Sequence, residues 1–234
     1  MSNKKKSALK AAFPLTIPVL TGYLCLGAAY GIIMDSKGFS LLWTLLASLF
    51  IYAGSMQFVT VSLLAAGFDP IGTFAITIMV NARHIFYGIS MLKKYQGIRK
   101  PKPYLIFALT DETFSIVCSE EPPEGVDRSW FYLFISLLNQ IYWVAGSFLG
   151  GILGSMISFN TKGLDFALTA LFIVILINQW KSTTNHLPAI IGILSAILCR
   201  IFFGSNNFII PTMITILIFV TLFKEPMLRR MKKN

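Results

Sequence analysis

Apolar stretches separated by short polar gaps run the length of this chain, and no other feature restricts its folding as much. Eight can be counted, at roughly 13–34, 41–66, 70–92, 104–118, 129–157, 165–180, 187–204 and 208–223. A membrane-spanning helix uses about 20 such residues. Only 13% of the residues are charged, against about 25% in ordinary soluble domains. A soluble chain of 234 residues cannot hide that much apolar surface in one core. An ordinary soluble domain, a disordered chain and a secreted disulfide scaffold are therefore excluded. What remains is an all-α integral membrane protein, a polytopic helical bundle, because lipid leaves backbone amides no partner outside the helix.

The formal net charge is +10, which on its own would also suit nucleic-acid binding. The positions of the basic residues argue otherwise. Lys4, Lys5, Lys6 and Lys10 precede the first apolar stretch. Lys93, Lys94, Arg99, Lys100 and Lys102 fill one polar gap, and Lys224, Arg229, Arg230, Lys232 and Lys233 close the chain. Basic residues beside apolar segments follow the positive-inside rule and meet anionic lipids; no nucleic-acid partner is expected. Cys25, Cys118 and Cys199 show neither a CxxC nor a metal-ligand spacing. The basic start followed by an apolar run resembles a signal peptide, but Pro14 and Pro18 interrupt it and many apolar segments follow. It is read as a retained first helix. The expected organisation is a cytoplasmic basic N-terminus (1–12), one transmembrane domain (13–223) and a basic C-terminal tail (224–234).

Threading these segments through a bilayer exposes a conflict. Charge places 1–12, 93–103 and 224–234 on the cytoplasmic side, whereas the acidic loop 119–128 lacks that signal and is expected outside. Both ends are reconciled by about six full spans plus two re-entrant or broken helices, one in each half. Halves 13–118 and 129–223 would then form an inverted-topology repeat, as in many secondary transporters. Weak internal matches agree. Leu49-Phe50-Ile51 with Gln57-Phe58 resembles Leu171-Phe172-Ile173 with Gln179-Trp180, and His84-Ile85-Phe86-Tyr87-Gly88 resembles Arg200-Ile201-Phe202-Phe203-Gly204. Gly27 and Gly31 have counterparts in Gly146, Gly150 and Gly154. Small residues four apart let helix backbones approach closely, as static packing or as a sliding surface. The inverted scheme puts Lys100 and Glu124 on opposite faces.

Ionisable groups inside such segments are costly and need a reason. Asn81-Ala82-Arg83-His84 lies halfway along 70–92. Arg83 is a forked cation suited to a carboxylate, and Asn81 and His84, three apart, share one side of a helix. The cluster is either a substrate-facing break or a helix end with Arg83 in an internal salt bridge. Thr110-Asp111-Glu112-Thr113 lies within 104–118. Adjacent helical residues point about 100° apart, so one carboxylate can pair with Arg83 or Arg200 while the other faces a cavity or carries a proton. Ala53-Gly54-Ser55-Met56-Gln57-Phe58 lies within 41–66. Gly54 and Ser55 allow local unwinding, and Gln57 both donates and accepts. It either binds an amino-acid backbone or hydrogen-bonds helix to helix. Asp165 and Asn178-Gln179 are lesser candidates, and His186 is expected in a loop. Asp69-Pro70 reads as a helix start. No HExxH, GxSxG or phosphate-binding glycine loop occurs, so no catalytic or metal residues and no cofactor are expected.

Taken in order, Ala53-Gly54-Ser55-Met56-Gln57-Phe58, Asn81-Ala82-Arg83-His84, Asp111-Glu112 and Gly163-Leu164-Asp165-Phe166-Ala167 resemble the AzlC family of bacterial permeases. The resemblance spans about Pro14 to Phe223. It implies branched-chain amino acids as substrates (leucine, isoleucine, valine, with methionine a further candidate), export across the bacterial cytoplasmic membrane, and a small AzlD-type membrane subunit as partner. It assigns no role to individual residues. The site expected from the physical argument is Ser55, Gln57, Asn81, Arg83, His84, Asp111 and Glu112, with Phe58 and Phe86 against the apolar side chain. Both termini are expected in the cytoplasm. Alternatives are transport of another small metabolite, an intramembrane enzyme using His84 with Asp111 or Glu112, and a structural partner of another membrane protein.

Overall fold

The computed structural model describes residues 3–67, 69–81, 83–156, 173, 176–177, 180–181 and 186–222. The described residues form α-helices joined by short turns and contain no strand. Two compact units divide the chain, Met1–Thr169 and Ala170–Asn234.

The first unit is built on two long helices, α1 (Asn3–Ser36) and α8 (Arg128–Met156). At about 1.5 Å per residue, α1 is roughly 50 Å long and exceeds a hydrocarbon core of about 30 Å. Pro14 and Pro18 lie inside it without ending it. Asp127 starts α8 by accepting from the amides of Ser129 and Trp130 at 3.0 and 3.1 Å, which satisfies two N–H groups that a helix start leaves open. The two helices run in the same direction. The Lys5 ammonium sits over the Trp130 ring, the Thr16 and Tyr142 hydroxyls meet at 3.1 Å, and Asp35 adjoins Gly154.

Between these points the glycine stripes named above face each other. A Cβ added to Gly31 would lie 2.3 Å from the Ser147 carbonyl oxygen, and one on Gly150 would lie 2.0 Å from that of Ala28. The backbones touch, leaving no room for a methyl group.

Six shorter helices connect α1 to α8. These are α2 (Leu41–Phe50), α3 (Gly54–Ala66), α4 (Pro70–Asn81), α5 (Arg83–Lys94), α6 (Lys102–Phe107) and α7 (Asp111–Ser119). They pair off across three breaks. At Ile51–Ala53 the chain bends back, because the Gln57 amide reaches Ser48 at 3.4 Å, whereas nine residues of straight helix would separate them by about 13 Å. Tyr52 at this break has φ 43°, a left-handed backbone that costs a non-glycine residue about 1–3 kcal/mol. Asp69 starts α4 as its spacing with Pro70 predicts, accepting from the Gly72 amide at 2.9 Å. Pro70–Ile78 and Arg83–Lys94 then meet at 45°.

The third break, at Ala108–Thr110, makes 104–118 a hairpin. Before it, Tyr95 packs on the Tyr132 ring at 5.9 Å; after it, the Tyr132 hydroxyl donates to Glu121 at 2.9 Å. The excursion leaves from and returns to one residue. Its arms of six and nine residues reach only about 9 and 14 Å, too short to cross.

This corrects the expected threading. The loop 119–128 lies at the same end of the α1–α8 pair as the basic gap, with Lys94 and Glu121 paired at 3.2 Å. An inverted repeat needs opposed first helices, and α1 and α8 are parallel. The misplacement arose from counting 104–118 as a crossing.

In the second unit, α9 (Leu187–Asn207) and α10 (Ile209–Leu222) pack against each other, with Cys199 3.7 Å from Thr215. Arg200 lies over the Phe208 ring, and no carboxylate pairs with it among the described residues. His186 precedes α9 and stacks on Trp180. Among the described residues, α1, α8 and Leu187–Gly204 are long and apolar enough to cross a membrane, and the bent α4–α5 pair is long and apolar enough for a broken span or a re-entrant loop. Asp165, Gly163–Ala167, Asn178-Gln179 and most of segment 165–180 lie outside the described residues.

Candidate functional site

The three breaks converge. Ser55 lies in the first turn of α3, Arg83 opens α5 and Asp111 opens α7, so three helix N-termini meet. Arg83 joins them: its guanidinium pairs with Asp111 at 2.9 Å and donates to the Ser55 hydroxyl at 2.5 Å. Amide-rich helix starts favour negative charge, which explains the two acids, Asp111 and Glu112, in the first turn of α7. The pair keeps unused capacity. Among the described residues Arg83 Nε and Asp111 Oδ1 are both shielded and make no hydrogen bond, although Tyr87 faces Asp111.

Beside this junction lies a cavity of about 650 Å³, within the usual range for small-molecule sites. Its lining is mostly apolar and includes Ile51, Met56, Ile85, Met91 and Phe107. Asn81 at the end of α4 and His84 in the first turn of α5 contribute polar edges from either side of the break. The His84 ring meets the Asn81 carbonyl at 3.2 Å. Arg83 and Asp111 adjoin the cavity without lining it, and Ser55, Gln57, Glu112, Phe58 and Phe86 do not line it either. Phe58 is buried against Tyr30 and Trp143, and Phe86 is 58% exposed.

The remaining expected residues have other surroundings. Gln57 is fully buried. Its oxygen accepts from the Ala53 amide at 3.2 Å and from the Trp143 indole at 3.0 Å, and its amide donates to Ser48. Its hydrogen bonds thus hold the α2–α3 break closed. Glu112 points away from Arg83, as adjacent positions on a helix require. It accepts from the Tyr23 hydroxyl at 2.6 Å, and that hydroxyl meets Thr110 at 2.7 Å.

Several residues of the site were given no role from the sequence. Thr110 caps α7 by accepting from the Thr113 amide at 3.3 Å. Threonine, two acids and threonine form a helix-start pattern that could have revealed the break. Asn139 donates to Thr113, while Gln140 accepts from Tyr104 and donates to the Leu49 carbonyl. This adjacent polar pair inside an apolar stretch was a readable signal. Nothing in the sequence marked Tyr23 or Tyr52.

The family model described as "AzlC protein" matches residues 18–157, which run from α1 through α8. A Bacillus subtilis (strain 168) relative, described as a branched-chain amino acid transport protein AzlC, is 50% identical over 94% of this chain and 87% of its own length. An uncharacterized membrane protein of Haemophilus influenzae is 42% identical over 94% of this chain and 91% of its own. The Escherichia coli (strain K12) inner membrane protein YgaZ is 30% identical over 78% of each. No solved structure matches. The order of polar clusters, the family match across most of the first unit and the overlap of 78–94% of this chain with these relatives place this chain in the AzlC family.

Proposed function

We propose that this chain is the permease subunit of a secondary transporter that exports branched-chain amino acids across the cytoplasmic membrane, together with a small AzlD-type subunit. The observation that carries this reading is the incomplete Arg83–Asp111 pair beside an apolar cavity. A free guanidinium donor and a free carboxylate acceptor, side by side, complement the carboxylate and ammonium of an amino-acid zwitterion. The cavity suits its aliphatic side chain. Ser55 positions Arg83, Asn81 and His84 border the side-chain space, and Gln57 supports the α2–α3 break. The name of the Bacillus relative supports the substrate class. The basic ends and 93–103 favour cytoplasmic termini, and the parallel helices then bring loop 119–128 to the same side.

The test is efflux of labelled leucine, valine and isoleucine from loaded cells, with this chain expressed alone and with the small membrane protein encoded beside it. Faster efflux on co-expression is expected. Asp111→Asn is expected to lower it at least tenfold at unchanged membrane abundance. No efflux under either condition, with both proteins in the membrane, would overturn the reading.

A further inference from the structure

A second polar cluster lies on the far side of α7 from Arg83. Glu112 has no ion-pair partner among the described residues; its carboxylate is held by the Tyr23 hydroxyl at 2.6 Å. That hydroxyl meets Thr110 at 2.7 Å, Thr110 donates to Thr113 at 3.0 Å, and Asn139 donates to Thr113 at 3.0 Å. Tyr52 faces Tyr23, Thr113 and Glu112 from the α2–α3 break, yet its hydroxyl makes no hydrogen bond of good geometry among the described residues, although the residue is only 3% exposed. The Asn139 oxygen is also unpartnered, on a fully buried residue. The titratable and charged groups around Glu112 are therefore Tyr23 on α1, Tyr52 at the first break, Arg83 and Tyr87 on α5 and Asp111 on α7. The α8 face contributes the uncharged Asn139. Arg83, the one cation in the group, is paired with Asp111.

We propose that Glu112 is a proton-binding site, separate from the Arg83–Asp111 pair, and that the Tyr23–Thr110–Thr113 hydroxyls keep it hydrogen-bonded in both charge states. A shielded carboxylate without a cation is neutralised rather than left charged. The immediate neighbours are hydroxyls, which both donate and accept. With Glu112 ionised, Tyr23 donates to it. When one of its oxygens takes a proton, the new carboxyl O–H donates to the Tyr23 oxygen. Tyr23 then turns its own hydrogen to Thr110, which already donates to Thr113. One proton is gained, no bond within the protein breaks, and no polar atom loses its partner. A site built for a metal cation would instead gather acceptors that need not donate. Such a proton site beside a substrate site is what gradient-driven transport requires; that coupling role rests on the proposed function, whereas the proton site itself does not.

Infrared difference spectroscopy of the purified full-length chain, titrated between pH 4 and pH 9 without amino acid, tests the assignment. A protonated-carboxyl C=O band that disappears with rising pH is expected in the wild type. It should be absent in Glu112→Gln and retained in Asp111→Asn. Tyr23→Phe keeps the carboxyl but removes its switching partner, and should move the midpoint by about one pH unit, a tenfold change in proton affinity. A band that survives in Glu112→Gln would overturn the proposal, as would a midpoint unmoved in Tyr23→Phe. Abolition of the wild-type band by sodium at fixed pH would overturn it in favour of a metal-cation site. Because no substrate is present, these results do not depend on whether leucine is transported.

Discussion

Gln57 shows how one side chain can hold a broken helix together. Its oxygen takes two donors, the Ala53 amide exposed by the break and the Trp143 indole. Gln57→Leu would leave both donors buried and unpaired. Each such loss costs about 1–3 kcal/mol, so a marked fall in thermal unfolding temperature is expected, measured in detergent against wild type. Gln57→Glu keeps the acceptor and should lose less. Arg83 makes a different prediction. Lysine keeps the charge but not the fork that reaches Ser55 and Asp111 together. Arg83→Lys should therefore keep membrane abundance while lowering amino-acid efflux at least tenfold, and wild-type efflux would remove the fork from the mechanism. Both residues were visible in the sequence as polar groups in apolar segments. Their different tasks were not, because the task depends on which element lies opposite, and Trp143 and Asp111 are 86 and 28 positions away respectively.

At the scale of elements, the contact between α1 and α8 gives the sharpest prediction. Gly31→Ala and Gly150→Ala each force a methyl group into backbone of the other helix. Since backbone cannot move aside as a flexible side chain does, either variant should lower thermal stability or yield. Gly22→Ala, whose added Cβ would meet nothing within 4 Å, should be neutral or slightly stabilising, because alanine is the better helix former. Equal behaviour of Gly22→Ala and Gly150→Ala would contradict the packing described. The glycine spacing was legible because close helix approach depends on residue size at a fixed interval. The hairpin in 104–118 was not legible by counting apolar residues, since a short span and two short arms have similar composition. Only the Thr110–Thr113 start pattern separated them. Asp69-Pro70 succeeded because a helix cap is a local interaction complete within four residues.

Across the first unit as a whole, the parallel α1–α8 pair decides which loops share a side. Single cysteines at Lys100 and Glu124 should react from the same face of the membrane with an impermeant reagent. Labelling from opposite faces would restore the inverted arrangement and contradict the Lys94–Glu121 contact. That contact is also sensitive to acid. The Tyr132 hydroxyl, and then Lys94, hold the Glu121 carboxyl below its ordinary value of 4.5. A carboxyl whose value is lower in the folded state contributes stability above its unfolded value and loses it as pH falls through the folded one. The difference in unfolding temperature between wild type and Glu121→Gln should therefore shrink towards zero below about pH 4.5. It should be small throughout, because this carboxylate is largely exposed.

The hairpin of α6 and α7 also has a consequence for biogenesis. Its tip carries Thr110, Asp111, Glu112 and Thr113, and the partner that secures Thr113 is Asn139, on a helix translated later. Neither arm is long enough to be inserted as a span of its own. While the ribosome is still short of α8, this tip has only its partners on α1 and α5, Tyr23 and Arg83, and lacks the Asn139 contact that closes it. The centre of the protein is thus assembled late in synthesis. Ribosome-arrested chains ending before residue 139 should leave the hairpin open to protease, and chains extending through α8 should close it.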